Sequence, residues 1–150
     1  MKLKNQTILD LVNNGLLNTT EHDVPAADAY KAYKFRKAIE KACNAIVEKD
    51  RDLPKAAGIE DGKESTEEQK ARVAELRAAL YNDETELDGN IVPMSWESFH
   101  ALSNENRKVA VQITTGEMGA DGSPKIATVY VDVFRVCETL LEGVLFKAED

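Results

Sequence analysis

One stretch of the sequence predicts the main structural element. Residues 24–53 read VPAADAYKAYKFRKAIEKACNAIVEKDRDL, and this pattern predicts one long helix. Asp23 is a favourable N-cap, and Pro25 falls in the first turn, where a missing N–H costs least. Pro54 is expected to end the helix after Leu53. Apolar residues recur at alternating spacings of three and four, with Lys49 as the one break, and predict a single buried seam. The seam consists of Ala32, Phe35, Ile39, Ala42, Ile46 and Leu53.

The composition predicts one soluble globular domain spanning residues 1–150. The net charge of −8 disfavours general binding to nucleic acid or to an anionic membrane. The sequence has no signal-peptide pattern and no apolar run of membrane-spanning length, so we expect a cytoplasmic protein without a membrane partner. The charge is uneven, because residues 24–53 carry seven basic and five acidic side chains and are the only basic segment.

Shorter helices are predicted on both sides of the long one. Residues 5–14 form an amphipathic helix that Gly15 ends. After a loop, Ser65 and Glu68 predict a capping box that opens a helix to about Tyr81. The apolar positions of the two shorter helices are Ile8, Leu9 and Val12, and Val73, Leu76 and Leu80. Residues 24–81 therefore predict a long antiparallel helical hairpin.

The second half of the chain changes periodicity. A short helix that begins after Ser95 and contains Trp96 leads into two runs of alternating residues, Lys108–Thr114 and Lys125–Val131. We expect these runs to pair as a two-stranded antiparallel β-ribbon with a long, mobile tip within residues 95–131. Apolar spacing in residues 133–146 predicts a C-terminal helix. The predicted fold class is therefore α+β, mainly α: a helical hairpin, short helices, a β-ribbon and a C-terminal helix.

The acidic segment around Gly89 resembles part of a calcium-binding loop. If Gly89 takes the sixth position of a calcium loop, acids occupy the first, third and fifth. These acids are Glu84, Glu86 and Asp88. The twelfth position is Ser95, which cannot supply the bidentate carboxylate, so a solvated turn is the preferred interpretation.

Other catalytic and metal-binding patterns are equally sparse. His22 and His100 are the only histidines, and Cys43 and Cys137 read as buried free thiols. The sequence lacks a nucleophile elbow, a phosphate-binding loop and a dinucleotide fingerprint. We therefore predict no catalytic, cofactor-binding or metal-binding residue and no cofactor, and a small hydrolase or metal-dependent enzyme centred on His100 is only a third hypothesis.

The long helix also carries a second, polar face. Lys34, Lys37 and Lys41 align away from the apolar seam. Basic residues interleaved with aromatics can hold a phosphate backbone while the rings stack on bases. The alternative is a solvated face that pairs with the acidic residues after the long helix. The candidate interaction face consists of Tyr30, Lys31, Tyr33, Lys34, Lys37 and Lys41.

The order of these segments resembles a group of small proteins encoded by bacteriophages and prophages. The resemblance covers about the first 113 residues, from MKLKNQTILDLVNNGL through YKAYKFRKAIEKACNAIVEKDRDL and DGNIV to KVAVQI. It implies a phage or prophage accessory or assembly protein and assigns no functional residue.

The sequence thus favours a non-enzymatic structural or protein-interaction protein. Its expected partner is a protein or another copy of itself, as a homo-oligomer, with contact through the packed seam and the ribbon edge. The alternative is a nucleic-acid-binding protein that uses the lysines of the long helix, although the net charge disfavours it.

Overall fold

The computed structural model describes residues 1–18, 26–89, 91 and 109–131. Within these ranges the fold is α+β and mainly helical, with α-helices and two small antiparallel two-stranded sheets, which confirms the predicted class. In chain order the elements are β1 (Lys2–Lys4), α1 (Asn5–Asn13), a 3-10 turn (Leu16–Asn18), α2 (Ala26–Ala56), α3 (Glu67–Asn82), β2 (Glu84–Glu86), β3 (Val109–Met118) and β4 (Pro124–Val131).

Some of the predicted features lie outside the described residues. They are the N-cap Asp23, the helix after Ser95, the C-terminal helix at residues 133–146, both histidines and Cys137.

The apolar seam of α2 is the centre of the core, as predicted. Phe35, Ile39 and Ile46 are exposed by 2% or less, and Ala42 is also buried. The seam belongs to one cluster with apolar residues from α1, the 3-10 turn, β1 and the segment after β2. These partners are Ile8, Leu11, Leu16, Leu3 and Leu87. The core therefore surrounds the middle of α2, from Phe35 to Ile46, whereas Ala32 only packs against its edge and Leu53 is half-buried outside the cluster.

The buried side of α1 includes Ile8, as expected, but otherwise differs from the prediction. Ile8 is fully buried, whereas Leu9 and Val12 only pack against the edge of the core. Leu11, three residues after Ile8, is the second fully buried side chain of this helix. The spacing of three places both residues on the same face, so Leu11 extends the predicted amphipathic pattern.

The prediction that Pro54 ends the long helix is wrong. Helix α2 continues through Pro54 to Ala56. The helix ends before Gly58, whose φ is +83°. The amide of Gly58 donates to the carbonyl of Lys55 at 3.0 Å, and the amide of Ile59 donates to the carbonyl of Pro54 at 2.9 Å. This pair of hydrogen bonds is a Schellman motif, and it needs the left-handed conformation that glycine adopts without strain.

The capping box of α3 is present one residue later than predicted. The N-cap is Thr66, not Ser65, and its hydroxyl accepts a hydrogen bond from the amide of Gln69 at 3.1 Å. The side-chain oxygen of Gln69 accepts from the amide of Thr66 in return, at 2.9 Å. Gln69 Nε2 also donates to the carbonyl of Gly58 at 3.1 Å, which ties the start of α3 to the end of α2.

Helix α3 completes the hairpin and contributes to the core only at its edge, through Leu80 and Tyr81. None of its residues is buried, and the predicted stripe of Val73, Leu76 and Leu80 is only half-buried. Arg77 Nε donates to Asp50 Oδ1 at 2.7 Å and joins the two helices. Such a solvent-accessible ion pair contributes about 0–1 kcal/mol, which is less than one buried aliphatic side chain.

A small sheet that the sequence did not predict closes the core. Strand β1 pairs antiparallel with β2, with Leu3 opposite Thr85. Asn5, the residue that follows β1, is 3% exposed and makes three hydrogen bonds. These bonds hold the start of α1 against the end of α3 and against β2. Its amide donates to the carbonyl of Asp83 at 2.9 Å, and its Nδ2 donates to the carbonyl of Leu80 at 2.7 Å. Its Oδ1 accepts from the hydroxyl of Thr85 at 2.5 Å.

Replacing Asn5 with alanine is expected to destabilise the protein measurably. The substitution removes one of the hydrogen bonds to the carbonyl of Leu80 and leaves the hydroxyl of Thr85 without the acceptor Asn5 Oδ1, which costs about 1–3 kcal/mol. Chemical denaturation followed by circular dichroism measures the free energy of unfolding. Asn13→Ala, at an exposed position of the same helix, is the matched control. An equal loss in both variants would show that the Asn5 hydrogen bonds contribute nothing.

Candidate interaction surfaces

The basic–aromatic face of α2 is the first candidate surface. Tyr30, Lys34, Lys37 and Lys41 follow one another at spacings of four, three and four and therefore align along one side of the helix. Tyr33 lies beside them. The rings of Tyr30 and Tyr33 are 63% and 45% exposed, which leaves much of both rings open to solvent. The structure thus brings these five predicted residues together.

Lys31 lies at the margin of this face. It follows Tyr30 directly in the helix, so its side chain is rotated by about 100° toward the core side. Its side chain is half-buried, in agreement with that position.

Cations of α2 sit over the tyrosine rings. Lys34 Nζ lies 5.5 Å from the ring centre of Tyr30. Arg36 Cζ and Lys37 Nζ lie 5.8 Å and 5.9 Å from the ring centre of Tyr33. These distances fall within the range of cation–π attraction, which orients the long side chains on an otherwise solvated helix. Partial burial lowers the pKa of Arg36, and the charge of Glu40 opposes that shift.

Lys37 and Lys41 of this face form ion pairs with carboxylates of the same chain. Lys37 Nζ donates to Glu40 Oε2 at 3.1 Å, and Lys41 forms an ion pair with Asp88. Asp88 belongs to the acidic turn that follows β2, so the turn partly neutralises the C-terminal end of the face. The sequence offered a solvated face that pairs with the acidic residues after the long helix. The ion pair of Lys41 with Asp88 agrees with that interpretation.

The acidic turn itself is built into the fold. Glu84 and Glu86 lie in β2, and the amino group of Met1 donates to Glu86 Oε1 at 2.8 Å. This hydrogen bond lowers the pKa of Glu86. Within residues 1–18, 26–89, 91 and 109–131, no three His, Cys, Asp or Glu side chains converge on a point where a metal ion could bind.

A shallow groove runs beside the basic–aromatic face. It has a volume of about 160 Å³, well below the roughly 300–1,000 Å³ of typical small-molecule sites. It is lined by Ala38, Lys41, Ala42, Ala45, Thr85, Glu86 and Asp88. Nearby Cys43 is a free thiol that is 8% exposed, and burial raises its pKa, so it is a packing residue and not an activated nucleophile.

The β3–β4 ribbon is the second candidate surface. The two strands pair antiparallel as predicted, with Ile113 opposite Ala127. Because side chains alternate along a strand, Ile113, Ala127 and Val129 share one face, which we call the apolar ribbon face. Ile113 and Val129 are 45% and 37% exposed. The opposite face carries Ile126, which is 66% exposed, among polar residues.

The tip of the ribbon is shorter than expected. Strand β3 continues to Met118, which pairs with Pro124, and a register shift after Thr114 includes Gly116 with φ of +81°. Residues 119–123 form the turn, in which the amide of Gly119 donates to the carbonyl of Ser123 at 2.7 Å. The glycines that predicted a mobile loop therefore supply the bulge and the tight turn.

The two strands could be located from the sequence, but their exposed apolar residues could not be singled out as a contact surface. Ile113, Ile126 and Val129 all lie in predicted strands, and alternation alone shows which of them share a face. How far each one is exposed depends on what packs against the ribbon, and local sequence carries no signal for that.

The chain matches no protein-family model, no curated protein and no solved structure. Among the described residues, no helix combines the length and the apolar character that crossing a membrane requires.

The carboxyl group of Asp121 tests the order of the ribbon tip. The hydroxyl and the amide of Ser123 both donate to Asp121 Oδ1, at 2.5 Å and 3.1 Å, and lower the pKa of Asp121. This contribution to stability is complete above the ordinary aspartate pKa of about 3.9, and it is lost as the pH falls through the lower pKa of the folded protein.

We expect Ser123→Ala to raise the pKa of Asp121 toward its ordinary value. The measurement is an NMR titration of the Asp121 carboxyl group. Ser65→Ala, at a distant serine, is the control and should leave the titration unchanged. An Asp121 titration that is already ordinary in the unmodified protein would contradict the ordered tip.

Proposed function

We propose that this protein is a non-enzymatic structural or interaction protein that forms homo-oligomers through the β3–β4 ribbon. The observation that supports this proposal most strongly is the apolar ribbon face, where Ile113 and Val129 remain 45% and 37% exposed. A two-stranded ribbon is at best marginally stable by itself in water. Covering this face would remove aliphatic surface from water and stabilise the ribbon in the same step.

The charge of the ribbon makes a second copy a suitable partner. Residues 109–131 contain three charged side chains, Glu117, Asp121 and Lys125, and carry a net charge of −1, whereas the whole chain carries −8. Charged residues are depleted at the centres of protein interfaces. The ribbon therefore adds little electrostatic repulsion when two copies of this acidic chain meet.

The apolar ribbon face is the preferred contact for geometric reasons. The apolar ribbon face is aliphatic at Ile113, Ala127 and Val129 and meets a charged residue, Lys125, only toward the turn, whereas Ile126 on the opposite face is flanked by Thr114 and Thr128. Two such faces can pack against each other about a twofold axis, so that the same patch is used on both copies.

A non-enzymatic role agrees with the chemistry of the described residues. The thiol of Cys43 is buried, and the groove beside Lys41 is small. The acidic residues Glu86 and Asp88 form ion pairs with cations of the same chain.

The resemblance to small bacteriophage and prophage proteins supports an accessory or assembly role in that setting, and the cytoplasmic location belongs to the same proposal. Nucleic-acid binding by the basic–aromatic face is less favoured, because the net charge of −8 repels a long polyanion.

Removing the apolar character of the ribbon face is expected to weaken self-association. In the double variant Ile113→Thr and Val129→Thr, β-branched residues maintain the strands while the aliphatic contact is lost. We expect the dissociation constant to rise at least about tenfold, which corresponds to about 1.4 kcal/mol. Light scattering after size-exclusion chromatography, across a concentration series, measures the molar mass.

Ile126→Thr is the matched control, because it makes the same type of change on the opposite face of the ribbon. We expect it to keep the mass of the unmodified protein. An unmodified protein that is monomeric at every concentration would refute the proposal, and a larger effect of Ile126→Thr would assign the contact to the opposite face.

A further inference from the structure

The charges of the chain are separated along α2. Residues 30–41 contain five basic side chains and one acidic one, a net charge of +4. Five acidic side chains and one basic one, a net charge of −4, lie in residues 60–68. This segment consists of most of the loop between α2 and α3 and the first two residues of α3. We call the second region the acidic tip. Its acidic residues are Glu60, Asp61, Glu64, Glu67 and Glu68, and all of them are exposed.

The two charged regions of one molecule are too far apart to neutralise each other. Helix α2 is continuous from Ala26 to Ala56, so Lys34 and the end of the helix are about 33 Å apart along its axis. At physiological ionic strength the Debye length is about 8 Å. Glu60 and Glu67 form ion pairs with Lys63 and Lys70, but acidic side chains remain in excess in the tip, and each region therefore presents net charge to other molecules.

The basic–aromatic face already binds carboxylates of the kind that the acidic tip carries. Lys41 pairs with Asp88, which is 47 residues away in sequence, and Lys37 pairs with Glu40. The rings of Tyr30 and Tyr33 hold Lys34 and Lys37 close to the helix surface. Tyrosine and arginine are also enriched at protein interfaces, and Arg36 lies beside Tyr33.

We propose that the acidic tip of a second copy docks on the N-terminal part of the basic–aromatic face, around Tyr30, Lys34 and Lys37. The contact is head-to-tail, because the two surfaces that meet differ in sequence and in charge. It rests on the proposed function only in taking another copy of the chain as the partner, and it uses a different surface from the ribbon. Repetition of a head-to-tail contact produces a ring or an open chain of molecules.

Two charge variants isolate this contact. Lys34→Glu with Lys37→Glu reduces the charge of residues 30–41 from +4 to 0 and leaves the acidic tip intact. Asp61→Lys with Glu64→Lys reduces the charge of residues 60–68 from −4 to 0 and leaves the basic–aromatic face intact. Both pairs are introduced into the Ile113→Thr and Val129→Thr protein, so that loss of ribbon association does not affect the outcome.

Each variant alone is expected to be monomeric, because it lacks one of the two surfaces. An equimolar mixture is expected to form a 1:1 complex, since one variant supplies the tip and the other supplies the face. Sedimentation velocity measures the complex. Its dissociation constant should rise at least tenfold between about 0.1 M and about 1 M NaCl, where the Debye length falls from about 10 Å to about 3 Å. Circular dichroism verifies that each variant is folded.

Lys49→Glu with Lys55→Glu is the matched control for the basic variant, because it makes the same charge change at exposed positions of α2. This control should associate like its parent. A mixture that forms no complex, or a control that loses association to the same extent, would overturn the proposal. Binding of a labelled single-stranded oligonucleotide that depends on Lys34 and Lys37, without a complex in the mixture, would also overturn it and assign the face to nucleic acid.

Discussion

The fold depends on the burial of one side of α2. Ile39 on this helix and Ile8 and Leu11 on α1 are fully buried in the same cluster. Burying a large aliphatic side chain contributes about 1.5–3 kcal/mol, which exceeds the contribution of an exposed ion pair such as Arg77 with Asp50. Packing of α2 against α1 therefore stabilises the fold more than the contact between α2 and α3 does. Helix α3 is fixed at its ends, by Gln69 at one and by Asn5 at the other.

Features that depend on local periodicity could be predicted from the sequence. The seam of α2 repeats every three or four residues, and the ribbon strands alternate, so both patterns are visible within a short window. The sequence predicts the end of α2 at Pro54, but the helix includes this proline and continues to Ala56. Gly58, four residues later, supplies the left-handed turn.

Features that depend on distant residues could not be predicted. Strands β1 and β2 have three residues each and lie about 80 positions apart in sequence, too short to show a pattern of their own. Asn5 looks like an ordinary polar residue of an amphipathic helix until Leu80 and Thr85 are brought to it. The same limit applies to the candidate surface: the alignment of Lys34, Lys37 and Lys41 is local, whereas the pairing of Lys41 with Asp88 follows from the position of the β1–β2 sheet.

Both candidate surfaces lie outside the buried cluster. The basic–aromatic face occupies the side of α2 opposite the seam, and the exposed ribbon residues are absent from the core. Interaction residues can therefore be changed without removing core contacts.

Native-state hydrogen exchange tests most directly whether α2 and α1 form the stable core. We expect amides in residues 35–46 of α2 and 8–11 of α1 to exchange slowest, at rates set by global unfolding, and amides of α3 to exchange faster through local opening. Protection of the α3 amides as strong as that of residues 35–46 would contradict this expectation, because it would place the hairpin itself at the centre of the fold.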